Sequence, residues 1–152
     1  MKLFTVRSRK HLNPLTASGY AGRWNKEEQW VIYTAESRSL ASLEWLISRG
    51  GRLLSNDFIL ITLEFQSISD KDIYEVASDH LPIDWRDLAA YSSLQQIGSV
   101  WYSERKECIL SVPSALVPEE RNYVLHVPRI GKDLDDCIVD VQPVNWLGRI
   151  QW

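Results

Sequence analysis

The chain has 152 residues, 45% hydrophobic and 24% charged, the proportions of a globular domain that can bury its own core and not of a disordered or low-complexity chain. Seventeen lysines and arginines against 20 aspartates and glutamates leave a formal net charge of −3, which argues against nucleic acid as the default partner, since binders of the phosphate backbone are usually basic. The longest apolar runs, such as Phe58 to Ile61, are far too short to cross a bilayer, and Met1 to Arg7 lacks the apolar stretch of a secretory signal, so the expectation is a cytoplasmic protein without membrane association.

Residues Lys2 to Arg7 read as a first strand, followed by a polar loop from Ser8 to Gly22 that contains Pro14 and Gly19. Trp30 to Tyr33 is a short apolar run expected to form a buried strand. Ser37 is a candidate N-cap, and Ser37 to Arg49 reads as a helix ended by Gly50-Gly51. Phe58 to Phe65 is the clearest strand, with Ile59, Ile61, Leu63 and Phe65 alternating against Leu60, Thr62 and Glu64. Asp70 to Val76 suits either strand or helix, Leu81 to Asp84 is a break before a short helix, and Leu94 to Ser103 reads as another helix. Cys108 to Val112, Asn122 to Val127 and Ile138 to Val144 read as strands, the first two joined by Pro113 to Pro118.

Strands and helices are intermixed without a regular βαβ repeat, and nothing linker-like divides the chain. The expected architecture is therefore α+β, a single compact domain over residues 1–152. Cys108 and Cys137, with no CxxC pattern, read as reduced, packed thiols. The apolar tail, Val144 to Trp152, is expected to dock on the domain or to join an interface.

Several familiar machines are absent: there is no phosphate loop, no GxGxxG, no GxSxG and no HExxH. His11, His80 and His126 lie far apart, so no metal site is expected. Glu44 is the informative anomaly. On a helix over Ser37 to Arg49 it shares the i, i+3, i+4, i+7 face with Leu40, Leu43 and Ile47, and it is the only ionisable residue between Ser39 and Ser48. A buried unpaired carboxylate costs several kcal/mol, so a partner holds it, its pKa rises, or that face opens onto a cleft. A structural salt bridge fits the same pattern.

Gly22-Arg23-Trp24-Asn25 combines a glycine that permits close approach, a planar fork for phosphate or carboxylate, an aromatic surface and an orienting amide. A tight turn with a packed Trp24 is the plainer reading. Tyr33 sits in an apolar strand, where a core tyrosine is the ordinary case. In Val112-Pro113-Ser114-Ala115-Leu116-Val117-Pro118 two prolines bracket a serine whose hydroxyl either faces a ligand or closes its own turn.

Taken in order, these segments resemble the RES-domain family of bacterial toxins, named for arginine, glutamate and serine. The matching stretches are Gly22 to Asn25, Val31 to Ser37, Leu40 to Glu44, Leu81 to Trp85, Gln96 to Trp101, Val112 to Pro118 and Asn122-Tyr123. The resemblance implies a fold related to ADP-ribosyltransferase toxins, an activity that degrades NAD, and a small Xre-like antitoxin as partner. It implies Arg23, Tyr33, Glu44 and Ser114 as the catalytic set, with Arg23, Trp24, Asn25 and Tyr33 around NAD, which serves as substrate and requires no further cofactor.

Two segments depart from the family pattern. Phe4-Thr5-Val6 stands where many members carry tyrosine-arginine-isoleucine, leaving Arg7 or Arg9 as candidate replacements, and His126-Val127-Pro128-Arg129 replaces asparagine-proline-x-histidine. Three readings follow: cleavage of the nicotinamide–ribose bond by hydrolysis or phosphorolysis, ADP-ribosylation of a protein, and a non-catalytic NAD-binding module.

Overall fold

Period-two patterning of β-branched and aromatic residues emerges in a computed structural model as strands β1 (Lys2–Ser8), β2 (Val31–Ala35), β3 (Phe58–Glu64), β4 (Ile73–Glu75), β5 (Ile109–Pro113), β6 (Arg121–His126) and β7 (Ile138–Pro143). The structure describes residues 1–12, 15–50 and 57–145. Among them these seven strands form one sheet in the order β4-β5-β6-β2-β1-β3-β7, antiparallel except for the β4–β5 pair. Helices α1 (Arg38–Ser48), α2 (Tyr91–Glu104) and the short α3 (Val127–Ile130) complete it, so the α+β expectation holds. None of the described helices is long and apolar enough to cross a membrane.

The ambiguous stretch from Asp70 splits into a 3-10 turn over Asp70–Asp72, closed by a capping box from Ser69, and then β4. Both faces of β3 are buried from Phe58 to Leu63, and Glu64 at its end is half-buried. The reason is position: β3 lies inside the sheet between β1 and β7, and apolar layers cover both sides. Ile59, Ile61 and Leu63 pack on one face with Leu3, Ile32 and Leu125, while Phe58 and Leu60 pack on the other with Val6, Ala35 and Trp45. Cys108 and Cys137 are half-buried thiols against the first of these clusters. A third cluster seats α2 on the β4–β5–β6–β2 half of the sheet through Trp24, Trp85, Leu94 and Trp101.

Helix α1 starts where its cap dictates: the Ser37 hydroxyl accepts a hydrogen bond from the Leu40 amide at 3.0 Å and donates one to Glu120 Oε2 at 2.7 Å. Gly50, at φ +62°, follows its C-terminus, and Gly51 lies outside the described residues. The helix phase differs from the expected one. Leu40, Ala41 and Trp45 are buried, whereas Leu43 and Ile47 are 37% and 52% exposed. Trp45, whose ring meets Phe58 at 4.3 Å between centroids, turns the helix so that Glu44 sits at the edge of the buried face instead of its middle.

Helix α2 lies so close to the Arg23-Trp24 segment that a Cβ on Gly98 would stand 1.7 Å from the Trp24 carbonyl oxygen. Only glycine permits that approach.

The relation between β1 and β2 positions the site. β1 pairs with β3 along its whole length, from Lys2 opposite Glu64 to Ser8 opposite Phe58, and β2 pairs with β6 from Val31 opposite His126 to Ala35 opposite Asn122. Between β1 and β2 themselves the register holds a single pair among the described residues, Phe4 with Ala35. Each strand follows its other neighbour, and beyond that pair the two splay apart. A sheet that splits in this way opens a cleft lined by strand residues, which an evenly paired sheet does not have.

Candidate active site

The cleft is a cavity of about 470 Å³, within the range of roughly 300–1,000 Å³ usual for small-molecule sites. Its walls are Phe4 to Arg7 of β1, Val31 to Ala35 of β2, the Gly22-Arg23-Trp24 turn, the Ala41, Glu44 and Trp45 side of α1, and Asn122 of β6.

Glu44 reaches this cavity from α1 and is held by two donors on one oxygen. Ser114 Oγ donates to Oε1 at 3.0 Å, and Asn122 Nδ2 donates to the same atom at 2.5 Å. No described residue gives Oε2 a hydrogen bond. Ser114 is fully buried in the turn after β5, where its hydroxyl also accepts from the amides of Leu116 and Val117, each at 3.1 Å. The turn-closing reading of that serine therefore holds, and its proton is aimed at the Glu44 carboxylate while Ser114 itself does not line the cavity.

Tyr33 projects from β2 with its ring open to the cavity, at 37% exposure, and its hydroxyl enclosed. That hydroxyl accepts from the Trp24 amide at 2.9 Å and donates to Asn25 Oδ1 at 2.8 Å. Burial pushes its pKa well above the ordinary tyrosine value, so the phenol stays protonated. Asn25 in turn donates to the carbonyls of Tyr20, Lys26 and Gln29 and is only 1% exposed. Its side chain is spent on the turn, which places it behind Tyr33 and away from the cavity wall. Gly22 completes this knot: a Cβ there would meet the Tyr33 hydroxyl at 2.7 Å and Asn25 Oδ1 at 2.8 Å.

Arg23 lies over the Tyr91 ring, 4.6 Å from its centroid, and uses one Nη1 hydrogen on the Trp85 carbonyl at 2.9 Å. The rest of its fork remains available on the cavity side. Trp24 is 2% exposed and tilts against Trp85 at 6.3 Å, so it builds the wall from behind. Arg23, Tyr33 and Glu44 thus share one cavity, with Ser114 bonded to Glu44, while Trp24 and Asn25 support that arrangement from the interior.

Asn122 and Tyr91 also line the cavity and lie outside the expected site set, whereas Arg7, one of the two candidate replacements for the first-strand arginine, borders the cavity and Arg9 does not. The Asn122-Tyr123 match held the signal for the first, since a polar side chain on an otherwise apolar strand asks for a partner. His126 stands apart from the cavity. It stacks on Tyr102 at 4.0 Å between centroids, its Nδ1 accepts from the Arg129 amide to cap α3, and its Nε2 lies 3.2 Å from the Tyr102 carbonyl. Burial, reinforced by the Arg129 charge, lowers its pKa, which favours the neutral ring with Nε2–H as donor. The family departure over His126 to Arg129 therefore falls on a structural corner. Among the described residues no three histidine, cysteine or acidic side chains are grouped to hold a metal. The apolar tail from Trp146 to Trp152 lies outside the described residues.

The fold is found in solved structures. A chain of the crystal structure of the M. tuberculosis MbcT–MbcA toxin–antitoxin complex superposes with a TM-score of 0.72, covering 94% of this chain and 83% of that one at 15% identity. The mixed α/β architecture is therefore one shared with that solved chain.

The RES domain family model matches residues 3–146, and the chain belongs to the RES-domain family. It is 33% identical over 150 residues to Toxin Res of Yersinia enterocolitica, covering 96% of this chain and 95% of the relative. It is 36% identical over 127 residues to Toxin Res of Photorhabdus laumondii, covering 84% and 78%. The Prs ADP-ribosylating toxin of Sphingobium is 30% identical over 107 residues, covering 69% of this chain and 65% of that relative.

Proposed function

We propose that the protein is the toxin of a toxin–antitoxin pair and that it cleaves the bond between nicotinamide and ribose in NAD+, passing the ADP-ribosyl group to water or inorganic phosphate. One observation carries this reading: a carboxylate anchored through a single oxygen by Ser114 and Asn122, its other oxygen unclaimed, in a cavity shared with Arg23 and Tyr33.

The bond between the pyridinium nitrogen and the anomeric carbon breaks with its electron pair going to nicotinamide, which leaves neutral. Positive charge develops at the anomeric carbon and ring oxygen, as in glycoside hydrolysis, until an oxygen of the acceptor adds and loses its proton. A preorganised carboxylate stabilises that charge most where the site is dry. In this reading Oε2 of Glu44 takes a ribose hydroxyl, Arg23 takes a phosphate oxygen with its free N–H groups, and the Tyr33 ring packs against nicotinamide or its ribose. NAD+ is the substrate, and the chemistry calls for no separate cofactor.

An enzyme that drains NAD+ has to be restrained, and a toxin–antitoxin complex is what the M. tuberculosis structure describes. We propose an Xre-like antitoxin that covers this cleft. Incubating the purified chain with NAD+ and measuring nicotinamide by chromatography tests the activity, and absence of release overturns it.

A second reading rests on the Sphingobium relative, whose name states ADP-ribosylation. The donor site is the same and the acceptor is a protein side chain. Label from adenine-tagged NAD+ retained on a protein, in place of free ADP-ribose or its phosphate, selects that reading.

A further inference from the structure

Arg7 lines the cavity from β1, yet it has no counter-charge and no hydrogen bond to any described residue, and its Nη1 is shut off from solvent without an acceptor. Other partly buried arginines of this chain are satisfied. Arg121 bonds to the Ser111 hydroxyl and to the carbonyls of Val76 and Ser111, and Arg129 reaches the carbonyls of Trp101, Tyr102 and Glu107. Burial alone lowers the Arg7 pKa, with no acidic neighbour acting against it. A desolvated cation left without a partner is costly, and a fold keeps one where a ligand supplies the charge.

Arg7 and Thr5 alternate on the sheet face of Leu3, which packs with Ile32 and Ile59, whereas α1 packs on the face of Val6 and Ala35. Arg7 borders the same cavity as Glu44 because β1 and β2 part beyond the Phe4–Ala35 pair and leave a gap between the faces. Arg23 enters from the α2 side, held by Tyr91 and the Trp85 carbonyl.

We infer that Arg7 is a second anion-binding point in the cleft, taking a phosphate group of the ligand from the sheet face opposite α1 while Arg23 grips from the other side. A guanidinium suits this role because its planar fork pairs with two phosphate oxygens at once. The identity of the phosphate rests on the NAD+ reading: it is the diphosphate of NAD+ or the inorganic phosphate that accepts the ADP-ribosyl group.

The test uses the full chain with Arg7→Gln and Arg7→Lys, with inorganic pyrophosphate and inorganic phosphate as probes. Wild type melts at a higher temperature with pyrophosphate or phosphate present. Arg7→Gln loses that shift, its ligand-free melting temperature is equal to or above wild type because an unpaired charge is gone, and Arg7→Lys keeps part of the shift. In turnover assays Arg7→Gln raises a KM by about ten- to a hundredfold, the worth of a lost charge-assisted bond. A rise in the NAD+ KM alone assigns the dinucleotide diphosphate; a rise in the phosphate KM alone assigns the acceptor. Wild-type melting shifts and unchanged KM values in Arg7→Gln overturn the inference, as does a ligand-free Arg7→Gln chain that melts lower while Arg7→Lys restores it without any phosphate. A wild-type chain that shifts with pyrophosphate through Arg7 but releases no nicotinamide keeps the anion point and rejects the NAD+ reading.

Discussion

The Ser114 hydroxyl and the Glu44 carboxylate, 70 residues apart in the chain, meet at 3.0 Å with the hydroxyl donating. Because the same serine accepts from the Leu116 and Val117 amides, its proton has one direction left to point, and that direction is Glu44. Asn122 fixes the same oxygen from β6. The carboxylate is oriented before any ligand arrives, which is the condition for electrostatic stabilisation of a developing cation.

Replacing that charge while keeping its shape isolates its contribution. Glu44→Gln retains an oxygen for Ser114 and Asn122, so the circular dichroism spectrum and melting temperature should stay close to wild type. Nicotinamide release should fall by about two to three orders of magnitude or more, as when a preorganised electrostatic group is lost. Turnover within a few-fold of wild type would remove the carboxylate from the reaction.

Ser114→Ala acts on position, not charge. It leaves the Leu116 and Val117 amides without their acceptor and frees Glu44 to rotate, for a stability loss of about 1–3 kcal/mol in urea titrations. The fall in kcat should be smaller than that of Glu44→Gln. Because Asn122 shares the Glu44 oxygen, Ser114→Ala combined with Asn122→Ala should be non-additive in kcat. Strict additivity would show that the two donors act independently.

Gly22 in the Arg23 turn and Gly98 of α2, which packs against that turn, should respond differently to alanine. At Gly22 the new methyl meets the Tyr33 hydroxyl and the Asn25 amide, side chains that can yield, at a cost of roughly 1–3 kcal/mol and a displaced Tyr33. At Gly98 the obstacle is the Trp24 backbone itself, so α2 has to move off the sheet. Differential scanning calorimetry should find Gly98→Ala the more destabilised, and a reversed order would contradict the close helix–turn contact.

His126 makes stability depend on pH. Its folded pKa is depressed below the ordinary histidine value of about 6.5, first by burial and then by the Arg129 charge. The unfolded chain therefore takes up the proton first. Its contribution is present above the unfolded pKa and is lost as pH falls through the lower folded value. The urea midpoint should drop as pH is taken from 7 toward 5, and His126→Gln should flatten that dependence. An NMR titration placing the His126 midpoint at or above 6.5 would refute the assignment.

Local signals account for most of the elements. Ser37 caps α1, the apolar runs mark β2, β3, β5 and β6, and the charge pattern of α1 draws attention to Glu44. These features act between neighbours in the chain, where propensity and periodicity operate. The family match, too, is carried by short ordered segments.

The tertiary structure alone decided the phase of α1, because the bulk of Trp45 against Phe58 outweighs the apolar character of Leu43 and Ile47. It also decided that Asn122 joins Ser114 on one oxygen of Glu44 across 78 residues, and that β1 and β2 part after one pair so that Arg7 borders the same cavity. No pattern along the chain encodes such meetings: a side chain's partner across a sheet depends on which strands pair, in what register, and how far each is pulled by its other neighbour.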